Sequence, residues 1–361
     1  MPSDSEERNA QFTALVDILQ SVESDIFDPF LVTRAHYESV GIRIGVDVLI
    51  PRQLKTQNPP VIVRIHGGFL ITGSSLYPAW FFKWELDFAQ EQDAVILSPN
   101  YRLLPEARGL DILDDMAAFW AWVYSGGLSR HLAKIGHQKL RCDLSKTLLI
   151  GESAGGYLSL QSVLSGYSRP KAIITSYPMI DMKAAYFTES YAKLINGVSN
   201  YPNEDVDKFL AATQGKPHIT EVNPPGRLDS AMAVVHNGRY LELLGQEPEL
   251  FILDRIEKLA LALKSGESLL PPLFILHGDE DSAVPVEGTQ KLVAALRRLD
   301  SDTLIHLSIR PGDHGFDSNA TIHESWLREG LDFVLSHWLD TKSLFVPSTL
   351  FMDSSTSIDL A

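Results

Sequence analysis

Ser153 stands in Gly151-Glu152-Ser153-Ala154-Gly155, after the aliphatic run Thr147-Leu148-Leu149-Ile150 and before a helix-forming stretch that begins Gly155-Gly156-Tyr157-Leu158. A serine at a tight strand–turn–helix junction holds its hydroxyl at the top of a sheet, and the flanking glycines remove side chains where strand and helix pass closely. The helix N-terminus favours the negative charge that develops when such a serine attacks. A serine hydroxyl is a weak nucleophile, so it needs a base and a group to orient that base. In a sheet of this kind, the acid is expected after a later strand and the histidine after the last one.

Both are present, in that order. The run Leu273-Phe274-Ile275-Leu276 leads into His277-Gly278-Asp279-Glu280-Asp281-Ser282-Ala283-Val284-Pro285, and the run Thr303 to Ile309 into Arg310-Pro311-Gly312-Asp313-His314-Gly315. Of the eleven histidines, His314 is the base candidate, lying in a glycine-flanked loop at a strand end. The spacing Gly-x-x-Asp-x-x-Val-Pro favours Asp281 as the acid and leaves Asp279 second. His277 reads as a structural hydrogen-bonding residue.

Acyl transfer also needs donors for the oxyanion. His66-Gly67-Gly68-Phe69, after Val61-Ile62-Val63-Arg64-Ile65, is a loop of the expected type. The expected donors are the amides of Gly68, Phe69 and Ala154, with Gly67 as the conformational hinge of the hole. The aromatic segment Tyr77 to Trp84 follows, and Trp80, Phe81 and Trp84 either line an acyl pocket or pack a cap onto the core. No HExxH, CxxC or EF-hand spacing occurs, so neither a catalytic metal nor a cofactor is expected.

The elements that must position these groups alternate along the chain. Short β-branched runs at 61–65, 94–98, 147–150, 172–176, 273–276 and 303–309 are separated by amphipathic stretches at 110–123, after Ser153, at 286–299 and at 324–339. Strands joined through helices must run parallel, which predicts an α/β layer fold. Residues 32–50 read as two extended segments, antiparallel at one edge. Residues 1–28 read as a helical lead-in that belongs to a cap, and 182–250 as an inserted lid, far longer than an ordinary strand-to-helix connection. The core is then 29–181 with 251–345, and the Ser/Thr-rich stretch 346–361 is a loosely packed tail.

Composition narrows the partners. With 46 acidic against 31 basic residues the formal net charge is -15, which repels nucleic acid and anionic membrane surfaces. Hydrophobic residues make up 45 %, enough to bury a sizeable core. The single cysteine, Cys142, permits no intrachain disulfide, and the polar, acidic start of the chain does not resemble a secretory signal. A cytoplasmic enzyme, monomer or homodimer, acting on a small-molecule ester is the expectation.

His66-Gly67-Gly68-Phe69, Tyr101-Arg102-Leu103-Leu104-Pro105-Glu106 and Gly151-Glu152-Ser153-Ala154-Gly155-Gly156 together resemble the hormone-sensitive-lipase-like branch of the α/β-hydrolases, its fungal members above all. The resemblance covers roughly residues 60–340. It implies an eight-stranded, mostly parallel sheet with flanking helices, a helical cap, and a Ser153–His314–Asp281 triad cleaving short to medium acyl esters through an acyl-enzyme. It further implies that Arg102 and Glu106 brace the oxyanion loop. Phe69 departs from the pattern, since many members carry a third glycine there. Two rival readings remain open. One is an acyltransferase, lactonase or cyclising enzyme of secondary metabolism on the same fold, and the other is a non-catalytic ligand-binding receptor.

Overall fold

The computed structural model describes residues 3–264 and 266–339; the tail expected over 346–361 lies outside them. Eight strands form one sheet: β1 (Phe30–Ser39), β2 (Ile42–Pro51), β3 (Pro60–Ile65), β4 (Val95–Pro99), β5 (Asp143–Glu152), β6 (Ala172–Ser176), β7 (Leu273–Gly278) and β8 (Ile305–Arg310). Their spatial order is β1-β2-β4-β3-β5-β6-β7-β8. The hairpin β1–β2 and the β2–β4 pair are antiparallel, and every pair from β4 onward is parallel. The extended pair expected near 32–50 is therefore an edge hairpin.

The period-2 alternation of each central strand feeds two cores. Val61, Val63, Ile65, Leu149 and Ile275 face the layer that holds the helices Gly109–Tyr124, Ala154–Leu164, Ile252–Ala260 and Val286–Leu299. Ile62, Leu148, Ile150, Phe274 and Leu276 face the helices Lys83–Glu91 and Ser325–Trp338. Both faces are covered, so the strands read as nearly continuous hydrophobic runs.

The parallel strands all end on one side, where the connections are free to carry chemistry. Ninety-odd residues separate β6 from β7 on that side, including the helices Ala185–Thr188, Asn203–Thr213, Leu228–His236 and Tyr240–Leu244. The helix Asp4–Gln20 lies against this region. Arg8 donates to the Asn200 carbonyl at 3.1 Å, Gln11 accepts from the Ser199 N–H at 3.0 Å, and Phe12 meets Tyr201 edge-on. No helix among the described residues is long and apolar enough to cross a membrane.

Candidate active site

Ser153 is the single residue between β5 and the helix Ala154–Leu164, and its backbone has φ 54° and ψ -119°. A side-chain-bearing residue persists in such a conformation only where its surroundings over-determine it. Here its N–H donates to the Ser176 carbonyl at 2.9 Å, and its own carbonyl accepts from Tyr157 and Met179. The helix passes so close to β3 that a Cβ on Gly155 would lie 1.9 Å from the Ile65 carbonyl oxygen. Only glycine fits there. Below the elbow, the fully buried Arg64 pairs with Glu152 and Glu85, and burial pushes the Glu85 carboxyl up to about 7.

The loops after β7 and β8 bring Asp281 and His314 together. His314 Nδ1 lies 2.8 Å from Asp281 Oδ2. The Asp281 side chain is fully buried, and its other oxygen accepts the N–H groups of Ala283 at 2.9 Å and Val284 at 2.7 Å. Burial alone would raise this carboxyl, but His314 and His277 outweigh it and hold it well below the ordinary carboxylate range. Burial pulls His314 the other way and is outweighed too, so Asp281, with Asp313 and Asp317 behind it, keeps the imidazole above its ordinary value. Asp279, the alternative acid, instead accepts the Gly312 N–H at 3.2 Å.

Asp281 has a second histidine. His277 Nε2 lies 3.2 Å from Asp281 Oδ2 and 2.8 Å from the Val284 carbonyl, two acceptors, so this nitrogen carries the proton. Its Nδ1 meets the Thr289 hydroxyl at 2.8 Å. The structural role expected of His277 thus becomes specific: it meets the same carboxylate oxygen that faces His314. Tyr177, one residue after the Ser176 that anchors Ser153, places its ring 4.3 Å from the His314 ring. Among the described residues, neither the Ser153 hydroxyl nor His314 Nε2 has a hydrogen-bond partner. Such contacts often tighten only when substrate is bound.

The loop after β3 completes the set. Burial drives His66 down to about 3, so it is neutral, and it stacks on Tyr101 at 4.4 Å while Nδ1 donates to the Gly67 carbonyl. The Tyr101 hydroxyl donates to the His66 carbonyl at 2.8 Å. Further along, the Gly68 carbonyl accepts from Ile71 and Thr72, that of Phe69 from the Tyr240 hydroxyl, and that of Leu70 from Leu104. With the carbonyls engaged, the N–H groups of Gly68, Phe69 and Ala154 have no partner among the described residues. Gly67, expected as the hinge, has its own N–H engaged: it donates to the Glu152 carboxylate at 3.3 Å, which Arg64 also holds.

Two other expectations are corrected. Phe81 is buried between Phe27 and the Arg64 guanidinium, and Trp84 is fully buried with its indole N–H on Asp317. Neither offers a surface to a ligand. Only Trp80, partly buried, flanks the loop, 3.0 Å from where a Gly68 Cβ would stand. Arg102 does not brace the oxyanion loop either. It pairs with Asp115, and Glu106 pairs with Arg227, while Tyr101 and Leu104 of the same segment hold the loop.

Among the described residues, no group of three or more His, Cys, Asp or Glu could hold a metal ion. The sheet order, the strained serine between β5 and a helix, and the acid and histidine loops after β7 and β8 define the class of fold. Residues 62–230 match the α/β-hydrolase fold family Abhydrolase_3, and residues 249–341 match the prolyl oligopeptidase family. The chain is 32 % identical to a probable carboxylesterase, M8, of Phoma sp. over 298 residues, 81 % of this chain and 91 % of that one. With that relative matched over 91 % of its own length, the chain belongs to the α/β-hydrolase family. It is also similar, at 27 % identity over 84 % of its length, to 15 % of the non-reducing polyketide synthase ascC of Acremonium egyptiacum. Among solved structures, the Pyrobaculum calidifontis esterase shares the fold, with TM-score 0.55, 17 % identity and 94 % of each chain covered.

Proposed function

We propose that this carboxylic ester hydrolase works through Ser153 as nucleophile, His314 as general base and acid, and Asp281 as the group that orients the imidazole. Ser153 attacks the ester carbonyl while His314 Nε2 takes its proton, and Asp281 stabilises the imidazolium through Nδ1. The amides of Gly68, Phe69 and Ala154 receive the oxyanion. His314 returns the proton to the leaving alkoxide, and a water deprotonated by His314 then releases the acid. The observation that carries this reading is the His314–Asp281 contact at the same sheet edge as a strained serine and three unpartnered amides.

We infer the division expected from the sequence, residues 1–28 and 182–250 as a cap over a core of 29–181 and 251–345, of which 1–2, 265 and 340–345 lie outside the described residues. The contacts of the first helix with Ser199 to Tyr201, and of Tyr240 with Phe69, support that division. Phe69, where many members of the branch carry a third glycine, leads to the inference of short to medium acyl groups.

One observation favours a second reading: similarity along most of the chain to a segment of polyketide synthases. An acyl-enzyme in a closed site could pass a polyketide acyl group to an alcohol or carbon nucleophile instead of water. A chain-length series of aryl esters, turned over with and without competing alcohols, separates the two. Hydrolysis predicts free acid alone and no turnover by Ser153→Ala. Ester products in proportion to added alcohol establish transfer, and undiminished turnover by Ser153→Ala refutes the nucleophile.

A further inference from the structure

The oxyanion loop contains a feature that its own sequence does not sustain. Phe69 and Leu70, at φ 55° and 61°, are consecutive side-chain-bearing residues in the left-handed region. Such a pair is held by its surroundings or not at all. The loop secures the Gly68 carbonyl locally, through Ile71 and Thr72. The Phe69 carbonyl is secured from 171 residues away, by the Tyr240 hydroxyl at 2.8 Å. This bond fixes the Phe69–Leu70 peptide plane, the plane next to the one that carries the Phe69 N–H.

Tyr240 is one end of a longer connection. Its ring lies 5.5 Å from that of Phe187, which lies 5.1 Å from that of Tyr186. The Tyr186 hydroxyl donates to the Ser282 carbonyl in the acid loop. Ser282 in turn holds Asp313, the residue before His314, through its N–H and its hydroxyl at 2.7–2.8 Å. The segment cannot easily slide. The buried Lys193 ammonium donates to the carbonyls of Tyr186, Glu189 and Val235 at 2.6, 2.7 and 2.8 Å, pinning it to the helix Leu228–His236.

We propose that Tyr240 and Tyr186 are positioning residues, the two ends of an aromatic strap through which the β6–β7 insertion sets the oxyanion loop and the histidine loop together. The proposal rests on the reading of Ser153, His314 and the Gly68 and Phe69 amides given above. Glycine at position 69 would adopt the same backbone without strain. Phe69 makes the loop side of the hole depend on the insertion, so an unseated insertion leaves the oxyanion with the Ala154 amide and a misaimed loop. Burial also raises the Tyr240 phenol far above its ordinary value, which keeps it a donor at any working pH.

The test uses the full chain, an aryl ester, and an alkyl trifluoromethyl ketone, whose tetrahedral adduct on Ser153 places an oxyanion in the hole. Tyr240→Phe removes one oxygen and leaves the ring packing. The expected result is kcat lower by about ten- to hundredfold with KM within about twofold, and ketone affinity weakened by the same factor. Tyr186→Phe, remote from the hole, is expected to weaken the ketone as well, and its thermal midpoint reports whether the fold is kept. Unchanged kcat and ketone affinity in Tyr240→Phe, with the wild type active, overturn the strap and leave the hydrolase reading standing. A folded Tyr186→Phe with wild-type ketone affinity overturns the coupling between its ends. A wild type that neither turns over esters nor binds the ketone overturns the hydrolase reading itself.

Discussion

The turn at Ser153 and the loop at 66–70, the proposed nucleophile elbow and oxyanion loop, stand at the ends of the neighbouring strands β5 and β3, and they are held in opposite ways. At the elbow, local sterics do the holding: a Cβ on Gly155 would collide with the Ile65 backbone, and the Ser153 N–H is anchored on the adjacent β6. The oxyanion loop is held from a distance, by Tyr101 beneath it and Tyr240 above it. One strained turn is written into consecutive residues, and the other is borrowed from the rest of the chain. This difference separates what a short motif can specify from what it cannot.

The comparison breaks most sharply at Gly155. Gly155→Ala forces a methyl group against backbone that cannot swing aside, and denaturant unfolding is expected to show a loss of about 3 kcal/mol or more. A loss under 1 kcal/mol would mean that the elbow is not as tight as its geometry implies.

The acid loop gives an effect on rate where Gly155 gives one on stability. Asp281→Asn is expected to lower kcat by about 10⁴-fold, while Asp279→Asn, which alters only a bond to the Gly312 N–H, stays within about tenfold. The same pair of residues carries a pH signature. In the proposed mechanism His314 must be neutral to accept the Ser153 proton, and Asp281 holds its pKa above the ordinary 6.5. Activity therefore falls as pH drops through a midpoint above 6.5 and is regained on the alkaline side. A midpoint below 6.5 would contradict the assigned electrostatics.

The smallest effect concerns the insertion. Lys193→Met strips the donor from three buried carbonyls and is expected to cost about 2 kcal/mol in unfolding measurements. An unchanged stability would show that the insertion is not pinned there.

The same contrast governs how much could be read from the sequence. The six strand positions from 61 onward, the helices near 110–123 and 286–299, and the placement of Ser153, Asp281 and His314 at strand ends were legible, because period-2 runs and strand-end loops are local signals. The helix Lys83–Glu91 was not: the aromatic run Tyr77 to Trp84 that leads into it looks like a pocket lining until the second core beneath the sheet is seen to absorb Phe81 and Trp84. Arg102 and Glu106 were given a bracing role that belongs to Tyr101 and Leu104, since an ion pair's partner is chosen by folding and not by spacing. Nothing near Tyr240 marks it as the partner of Phe69, 171 residues earlier. His277 carried a faint signal, four positions before Asp281, but its contact with the carboxylate depends on how the loop turns.

The central claim is that Ser153, activated by His314, carries the chemistry. Its most direct test is treatment with a fluorophosphonate, followed by intact mass and peptide mapping. One adduct per chain on Ser153 is predicted, absent in Ser153→Ala and formed far more slowly in a folded His314→Ala. Stoichiometric labelling of another residue, or undiminished labelling after either substitution, would contradict it.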